Sequence, residues 1–221
     1  MDKIPFDPYD FFGYLASGLL IIVGTDLVFG IPNVLGKDLK VVDAALLVLA
    51  TYIVGQIAAT PAKALLEDLI VGRILRKPNV NLFQASKPIL GTLLFPGFYT
   101  ELPEQIRNKV RGKAAMAGVA DIGETLFLHV RFSPAVLGDD KLMGRLSAFL
   151  NKYGFNRNLS FASALVGIAF LIKVRTSSAA EPDLLPYGII AILISILLFY
   201  RYLKFFRQYS FEMFNTYAQK D

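Results

Sequence analysis

The feature that most constrains this chain lies in its last third, where Leu184–Tyr200 runs for seventeen residues without a charged side chain. Three cations, Arg201, Lys204 and Arg207, follow it in a stretch rich in aromatic residues. The hydrocarbon core of a bilayer is about 30 Å thick, so about 20 helical residues, each rising about 1.5 Å, cross it. Cations that follow an apolar run mark the cytoplasmic end of a crossing. We therefore expect an integral membrane protein.

The composition agrees with this class and excludes several kinds of site. Apolar residues make up 54% of the 221-residue chain and charged residues 19%, below the roughly 25% of ordinary soluble domains. The chain has no cysteine and one histidine, His129, which excludes disulfides, thiolate metal sites and a multi-histidine metal site within one chain. The net charge of +5 is typical of nucleic-acid binding, but in a membrane protein Lys and Arg first report topology. We expect no direct nucleic-acid binding.

The sequence predicts an all-α, polytopic membrane protein with four transmembrane helices and a helical cytoplasmic insert between the second and third. The spans cover about residues 11–30, 44–62, 155–172 and 184–202. The prediction is weakest for the third span, because its uncharged run, between Arg157 and Lys173, is only fifteen residues long. It is long enough if Arg157 extends its guanidinium to the headgroups. The alternative for this segment is a buried helix of a soluble domain.

The charges near the span ends predict the orientation. With both termini in the cytoplasm, nine Lys and Arg residues lie inside and four outside, as the positive-inside rule requires. We expect a multi-pass protein of the cell's inner (plasma) membrane, in direct contact with the lipid bilayer. The cations predicted to anchor the third and fourth spans at the interface are Arg157, Arg201, Lys204 and Arg207.

The second helix is predicted to continue past the bilayer to about residue 76. Residues 62–75 keep an apolar rhythm of helical period. Pro61 would kink this helix and act as a hinge, and Lys63 and Glu67 are spaced to pair at i,i+4. We divide the chain into 1–76 with two spans, 77–152 as the insert, 153–206 with two spans and 207–221 as a cytoplasmic aromatic tail.

The insert contains a basic helix that begins at Pro103-Glu104. Its cations are Arg107, Lys109, Arg111 and Lys113. Such a band is expected to lie along the anionic inner leaflet, and the alternative is that it docks an acidic partner or nucleic acid. Before it, Pro88–Thr100 is uncharged but too short to span. That run is re-entrant, interfacial or part of a soluble core.

The tail after the last span is dense in aromatic residues from Tyr202 to Tyr217. One interpretation is an aromatic belt that continues the span into the headgroup layer. The other is a helix that docks a partner or a second copy, since aromatic side chains anchor interfaces.

The sequence contains no catalytic, cofactor or metal motif. The best candidates for chemistry are Asp121, Glu124 and His129, which fall on one predicted helix from Asp121 to Phe132 without a zinc-type spacing. The polar residues inside the spans are more informative, because lipid penalises them unless they face water or a partner. These intramembrane polar residues are Asp26, Thr51 and Gln56.

Four short spans around a basic cytoplasmic insert, with an aromatic helical tail, resemble the layout of small multi-span membrane effectors of prokaryotic anti-phage systems. The resemblance implies an oligomeric effector or channel-like protein that a cytoplasmic protein controls, and no functional residue is carried over from it. From the residues we predict a non-enzymatic protein that forms a homo-oligomer. The alternatives are a membrane anchor or scaffold for a soluble partner and a membrane-embedded enzyme acting on lipids.

Overall fold

The computed structural model describes residues 8–30, 40–84, 88–176 and 184–220. Of these residues, 87% are helical and none forms a strand. The predicted all-α class is therefore confirmed. The connecting segments 31–39 and 177–183, which carry part of the charge count for the outer side, lie outside the described residues.

In the described segments, nine α-helices follow one another. They are α1 (Pro8–Phe29), α2 (Val41–Ala62), α3 (Pro78–Asn81), α4 (Ile89–Leu94), α5 (Glu104–Met116), α6 (Glu124–Arg131), α7 (Pro134–Leu137), α8 (Asp140–Thr176) and α9 (Leu184–Gln219). A π-helical segment, Lys63–Leu75, continues α2 directly, and a 3₁₀ turn, Pro96–Tyr99, follows α4.

Within the part of the chain that the structure describes, four helical stretches are long and apolar enough to cross a membrane. They are Phe11–Phe29, Val41–Asn81, Asp140–Thr176 and Leu184–Gln219. The prediction of four spans is confirmed, and it includes the third span. That span lies within α8, which is 37 residues long, so the charges on either side of its apolar stretch do not interrupt the helix.

The chain divides into two compact units. The first unit consists of the chain up to Asp68 together with Gly154–Tyr202, and the second of Leu69–Tyr153 together with the chain from Leu203 onward. Helices α8 and α9 each contribute residues to both units.

In the first unit, α1 and α2 meet backbone to backbone at two glycines. A Cβ atom placed on Gly18 would lie 1.8 Å from the carbonyl oxygen of Thr51, and one on Gly55 would lie 1.9 Å from that of Tyr14. Small residues allow such close approach, and membrane helices gain van der Waals contact from it. Gly18 and Gly55 therefore allow the close contact of α1 with α2.

Helix α8 packs against α1 and α9 within the same unit. A Cβ atom on Gly24 of α1 would lie 2.5 Å from Val166. Between α8 and α9, the Ser160 hydroxyl donates to the carbonyl of Ser195 at 2.9 Å, and the Ser195 hydroxyl donates to that of Ser160 at 2.8 Å. Both serines are buried, so this reciprocal pair satisfies two hydroxyl groups without water.

The second unit has an apolar core to which the C-terminal part of α9 contributes. The α9 members of this core are Tyr209, Met213, Phe214, Tyr217 and Ala218. They pack with side chains of α5, α6, α7 and the start of α8, such as Val110, Val130 and Leu142. For Tyr209, Phe214 and Tyr217, both interpretations of the aromatic tail, a headgroup belt and a docking helix, are therefore wrong, because these side chains are buried in the core.

The uncharged run Pro88–Thr100 belongs to the second unit. Phe98 and Tyr99 are buried, and the Tyr99 hydroxyl donates to the carbonyl of Leu75 at 3.0 Å. Asn81 donates to the same carbonyl at 3.2 Å and to that of Arg76 at 2.9 Å. Arg76 has a φ of 61°, the left-handed conformation that ends a helix. The run therefore supplies a hydrogen-bond donor to a backbone carbonyl group at the end of the π-helical segment. Burial raises the pKa of Tyr99.

Helix α8 begins at a capped and paired aspartate. Asp139 accepts a hydrogen bond from the Leu142 backbone N–H at 2.9 Å, and its carboxylate lies 2.9 Å from the Lys220 ammonium. The hydrogen bond from Lys220 is the main reason that the pKa of Asp139 is lowered, and the Leu142 N–H adds to it. A carboxylate at this position caps the helix and opposes the positive end of its dipole.

We expect the Asp139 carboxylate to make the second unit less stable in acid. A carboxyl group whose pKa is lower in the folded state stabilises the protein above its unfolded pKa of about 3.9, and this stability is lost as the pH falls through the lower, folded pKa. In Asp139→Asn the cap remains and the charge is absent. Thermal melting followed by circular dichroism at pH 7 and about pH 3 should therefore show a smaller drop in the variant than in the wild type. Equal drops in melting temperature would contradict the stabilising role of the Asp139 carboxylate.

Candidate functional site

The three polar residues predicted inside the spans have different surroundings. Asp26 is buried in α1, and Thr51 is buried in α2, where its hydroxyl donates to the Val48 carbonyl at 2.8 Å. Gln56 is exposed, and its amide nitrogen donates to the Tyr52 hydroxyl at 2.9 Å. Thr51 lies at the contact with α1, so Thr51 and Gln56 occupy different faces of α2. The three residues do not form one site.

The predicted hinge lies two residues before a change of backbone geometry. Pro61 is inside α2, and the π-helical segment begins at Lys63, whose backbone N–H donates to the carbonyls of Ala59 and Thr60. Proline removes an N–H donor and crowds the preceding turn. A wider helical turn relieves that crowding, and π-helical turns are often found at functional positions.

Glu67 and Arg157 form a partly buried ion pair in the first unit. Arg157 donates to the Glu67 carboxylate at 2.5 Å, and the two side chains are 14% and 16% exposed. Arg157 also donates to the amide oxygen of Asn158 at 3.2 Å. The predicted pair of Glu67 with Lys63 at i,i+4 is wrong in the described part of the chain. Since the residues from Lys63 to Leu75 are π-helical, i,i+4 neighbours no longer share a face as they do in an α-helix.

Three of the four cations of the basic helix α5 have partners within the second unit. Arg107 pairs with Glu101 at 2.6 Å, and Arg111 donates to the Phe83 carbonyl at 3.1 Å. Lys113 donates to the carbonyls of Tyr217 and Lys220. Lys109 is exposed. Most of the charge on α5 therefore holds neighbouring segments of the second unit together, which sequence spacing alone does not reveal.

The predicted interface anchors also differ from one another. Arg201 and Lys204 are exposed. Arg207 donates two hydrogen bonds to the Thr100 carbonyl, at 2.8 and 3.2 Å, and its guanidinium lies 5.7 Å from the centre of the Phe211 ring. The side chain of Arg157, by contrast, is committed to Glu67.

The candidate acid–base residues have three separate partners. Helix α6 begins at Glu124, so the prediction that Asp121 belongs to this helix is wrong, and the Asp121 carboxylate accepts a hydrogen bond from Thr125 at 3.2 Å. Glu124 pairs with Lys77 at 3.0 Å, and His129 lies 3.2 Å from the Tyr217 hydroxyl. Among the described residues, no group of three or more His, Asp or Glu side chains is arranged to hold a metal ion.

An open groove of about 800 Å³ lies on the second unit beside His129. Its apolar lining includes Met116, Leu128 and Phe132, and Lys113 and Lys220 contribute cationic side chains. This volume is within the range of small-molecule and peptide sites. The basic residues of α5 are visible in the sequence, but the groove combines α5, α6, α7 and the end of the chain, and no local pattern links those segments.

Comparison of the chain with models of protein families, with curated proteins and with solved structures finds no match.

Proposed function

We propose that this protein is a non-enzymatic integral membrane protein that assembles into an oligomer and changes the permeability of the inner (plasma) membrane. A cytoplasmic protein partner controls it, with both termini on the cytoplasmic side. The resemblance in layout suggests anti-phage defence as the process that it serves.

The observation that carries this proposal is how little of the four apolar helices is buried within one chain. The most apolar windows of the four stretches, in chain order, are 28%, 17%, 33% and 11% buried. A path for water or ions needs helices that surround it and polar groups that face it. A single chain with so little mutual burial has few surfaces with which to enclose such a path, so the proposal requires several copies.

The control by a partner is supported by the second unit. Its groove combines apolar walls with the ammonium group of Lys113, which is bonded to carbonyl oxygens, whereas Lys220 already pairs with Asp139. An apolar surface with one such cation suits an acidic, partly apolar segment of another protein. Helices α8 and α9 each contribute residues to both units. Binding of a partner to the second unit is therefore linked to the first unit through the backbone of these two helices.

Reconstitution of the full chain tests the proposal. Purified protein is inserted into anionic vesicles that are loaded with a self-quenching dye. The vesicles should release the dye once the number of protein copies per vesicle is high enough for oligomers to form. Native mass spectrometry should detect more than one copy of the chain per assembly. A protein that stays monomeric in detergent and bilayers, and releases no dye in the presence of cell extract, would overturn the proposal.

A second candidate function is a membrane anchor that holds a soluble partner in the groove and transports nothing. The groove favours this candidate, since an anchor can bind a partner there without any change in the first unit. Asp26→Asn separates the two: Asp26 is a buried carboxylate within a span, so removing its charge should alter a water-lined path and leave partner binding by an anchor unchanged.

A further inference from the structure

One face of α2 is exposed along almost its whole length, and its residues recur with the spacing found where two helices pack side by side. This face, the seam, consists of Val42, Leu46, Leu49, Ile53, Gln56 and Thr60. Its members alternate in steps of four and three residues, the spacing that keeps side chains on one side of a helix that crosses another at a small angle. The large apolar members are 46% to 68% exposed.

The opposite face of α2 is occupied by α1. Its buried members, Thr51, Gly55, Ala58 and Ala62, also follow in steps of four, three and four. At about 100° per residue, the centres of the two faces are about 170° apart. The seam is therefore a second contact surface, separate from the contact with α1.

Gln56 distinguishes the seam from an ordinary lipid-facing stripe. It lies twelve residues after Ala44, which is about 18 Å into a hydrocarbon core of about 30 Å. A glutamine amide has two N–H donors and an acceptor oxygen, and the bond to Tyr52 uses one donor. Acyl chains offer no partner for the other N–H or for the oxygen, whereas a neighbouring helix does.

We propose that the seam of α2 packs against the same seam of a second copy of this chain, with Gln56 facing Gln56 of the second copy. This inference rests on the proposed function and names the surface through which the oligomer forms. Both copies insert with the same orientation, so a two-fold axis along the bilayer normal brings identical residues together. An amide is self-complementary, since each Gln56 donates one hydrogen bond to the other and accepts one in return.

The absence of cysteine from the native chain allows a direct test with the full-length protein in native membranes. Leu49→Cys and Ile53→Cys, made singly, should each give a disulfide-linked dimer on mild oxidation. Val48→Cys is the matched control, because Val48 is 50% exposed on the same helix but lies about 120° from the centre of the seam. It should cross-link much less.

Gln56→Leu tests the polar contact separately. Hydrogen bonds between membrane helices contribute enough that losing this one should weaken dimer formation about 3- to 30-fold, measured by energy transfer between labelled copies at increasing dilution in lipid. Gln105→Leu makes the same change at an exposed glutamine of α5 and should leave the dimer affinity unchanged.

The outcomes separate this inference from the proposed function. An oligomer whose seam cysteines cross-link no better than Val48→Cys, or whose affinity is unchanged in Gln56→Leu, overturns the seam and leaves the oligomeric function standing. A protein that is monomeric at every lipid dilution overturns both.

Discussion

Gly18→Ala is expected to separate α1 from α2 and to lower the free energy of unfolding by about 3 kcal/mol, at the upper end of the range for overpacking. The added methyl group would lie 1.8 Å from the carbonyl oxygen of Thr51. That oxygen belongs to the backbone, so no side-chain rotation relieves the clash. The helices must move apart instead, and the facing contact at Gly55 and Tyr14 is weakened with it.

Gly154→Ala is the matched control for this prediction. Gly154 lies within α8, and a Cβ atom placed there has no atom within 4 Å. Alanine favours a helix over glycine by up to about 1 kcal/mol, so this variant should be as stable as the wild type or more stable. Unfolding in increasing fractions of a denaturing detergent, followed by circular dichroism, measures both. Equal stabilities of the two variants would contradict the close contact of α1 with α2.

The sequence was sufficient to predict the helical class and the four spans, because both depend on properties that are local along the chain. An uncharged run such as Leu184–Tyr200 needs no knowledge of its neighbours to be recognised. The third span, whose longest uncharged run is only fifteen residues, was supported in addition by the distribution of Lys and Arg near the span ends. Gly55 meets the backbone of Tyr14 in α1, and spacing along one helix does not reveal which helix lies opposite.

Contacts between distant segments are the part that the sequence did not predict. Spacing along an α-helix predicts Lys63 as the partner of Glu67, whereas Glu67 pairs with Arg157, ninety residues away. The charge pattern places Lys113 in a basic band that lies along the membrane or docks a partner, whereas Lys113 donates to the carbonyls of Tyr217 and Lys220. In both cases a charged group finds its partner through the tertiary fold, and a one-dimensional pattern contains no distance between such segments.

The second large effect is expected at the ion pair of Glu67 and Arg157. Arg157→Met should lower the free energy of unfolding by about 3 kcal/mol, the lower end of the range for buried pairs, because it leaves the partly buried Glu67 carboxylate without a counter-charge. The side chains of the pair are only 14% and 16% exposed, so water cannot replace the lost partner fully. The same unfolding measurement in detergent, made at neutral pH, gives the change.

The double variant Glu67→Leu/Arg157→Met decides whether the loss comes from the unpaired charge or from the missing side-chain volume. Removing both charges also removes the cost of burying them, so we expect the double variant to recover most of the stability lost in Arg157→Met and to match or exceed the wild type. Lys77→Met provides the comparison at an exposed pair, since Lys77 and Glu124 are 40% and 63% exposed, and it should change stability by no more than about 1 kcal/mol. If the double variant is as unstable as Arg157→Met, the arginine contributes through packing, and its charge is not what holds the π-helical segment to α8.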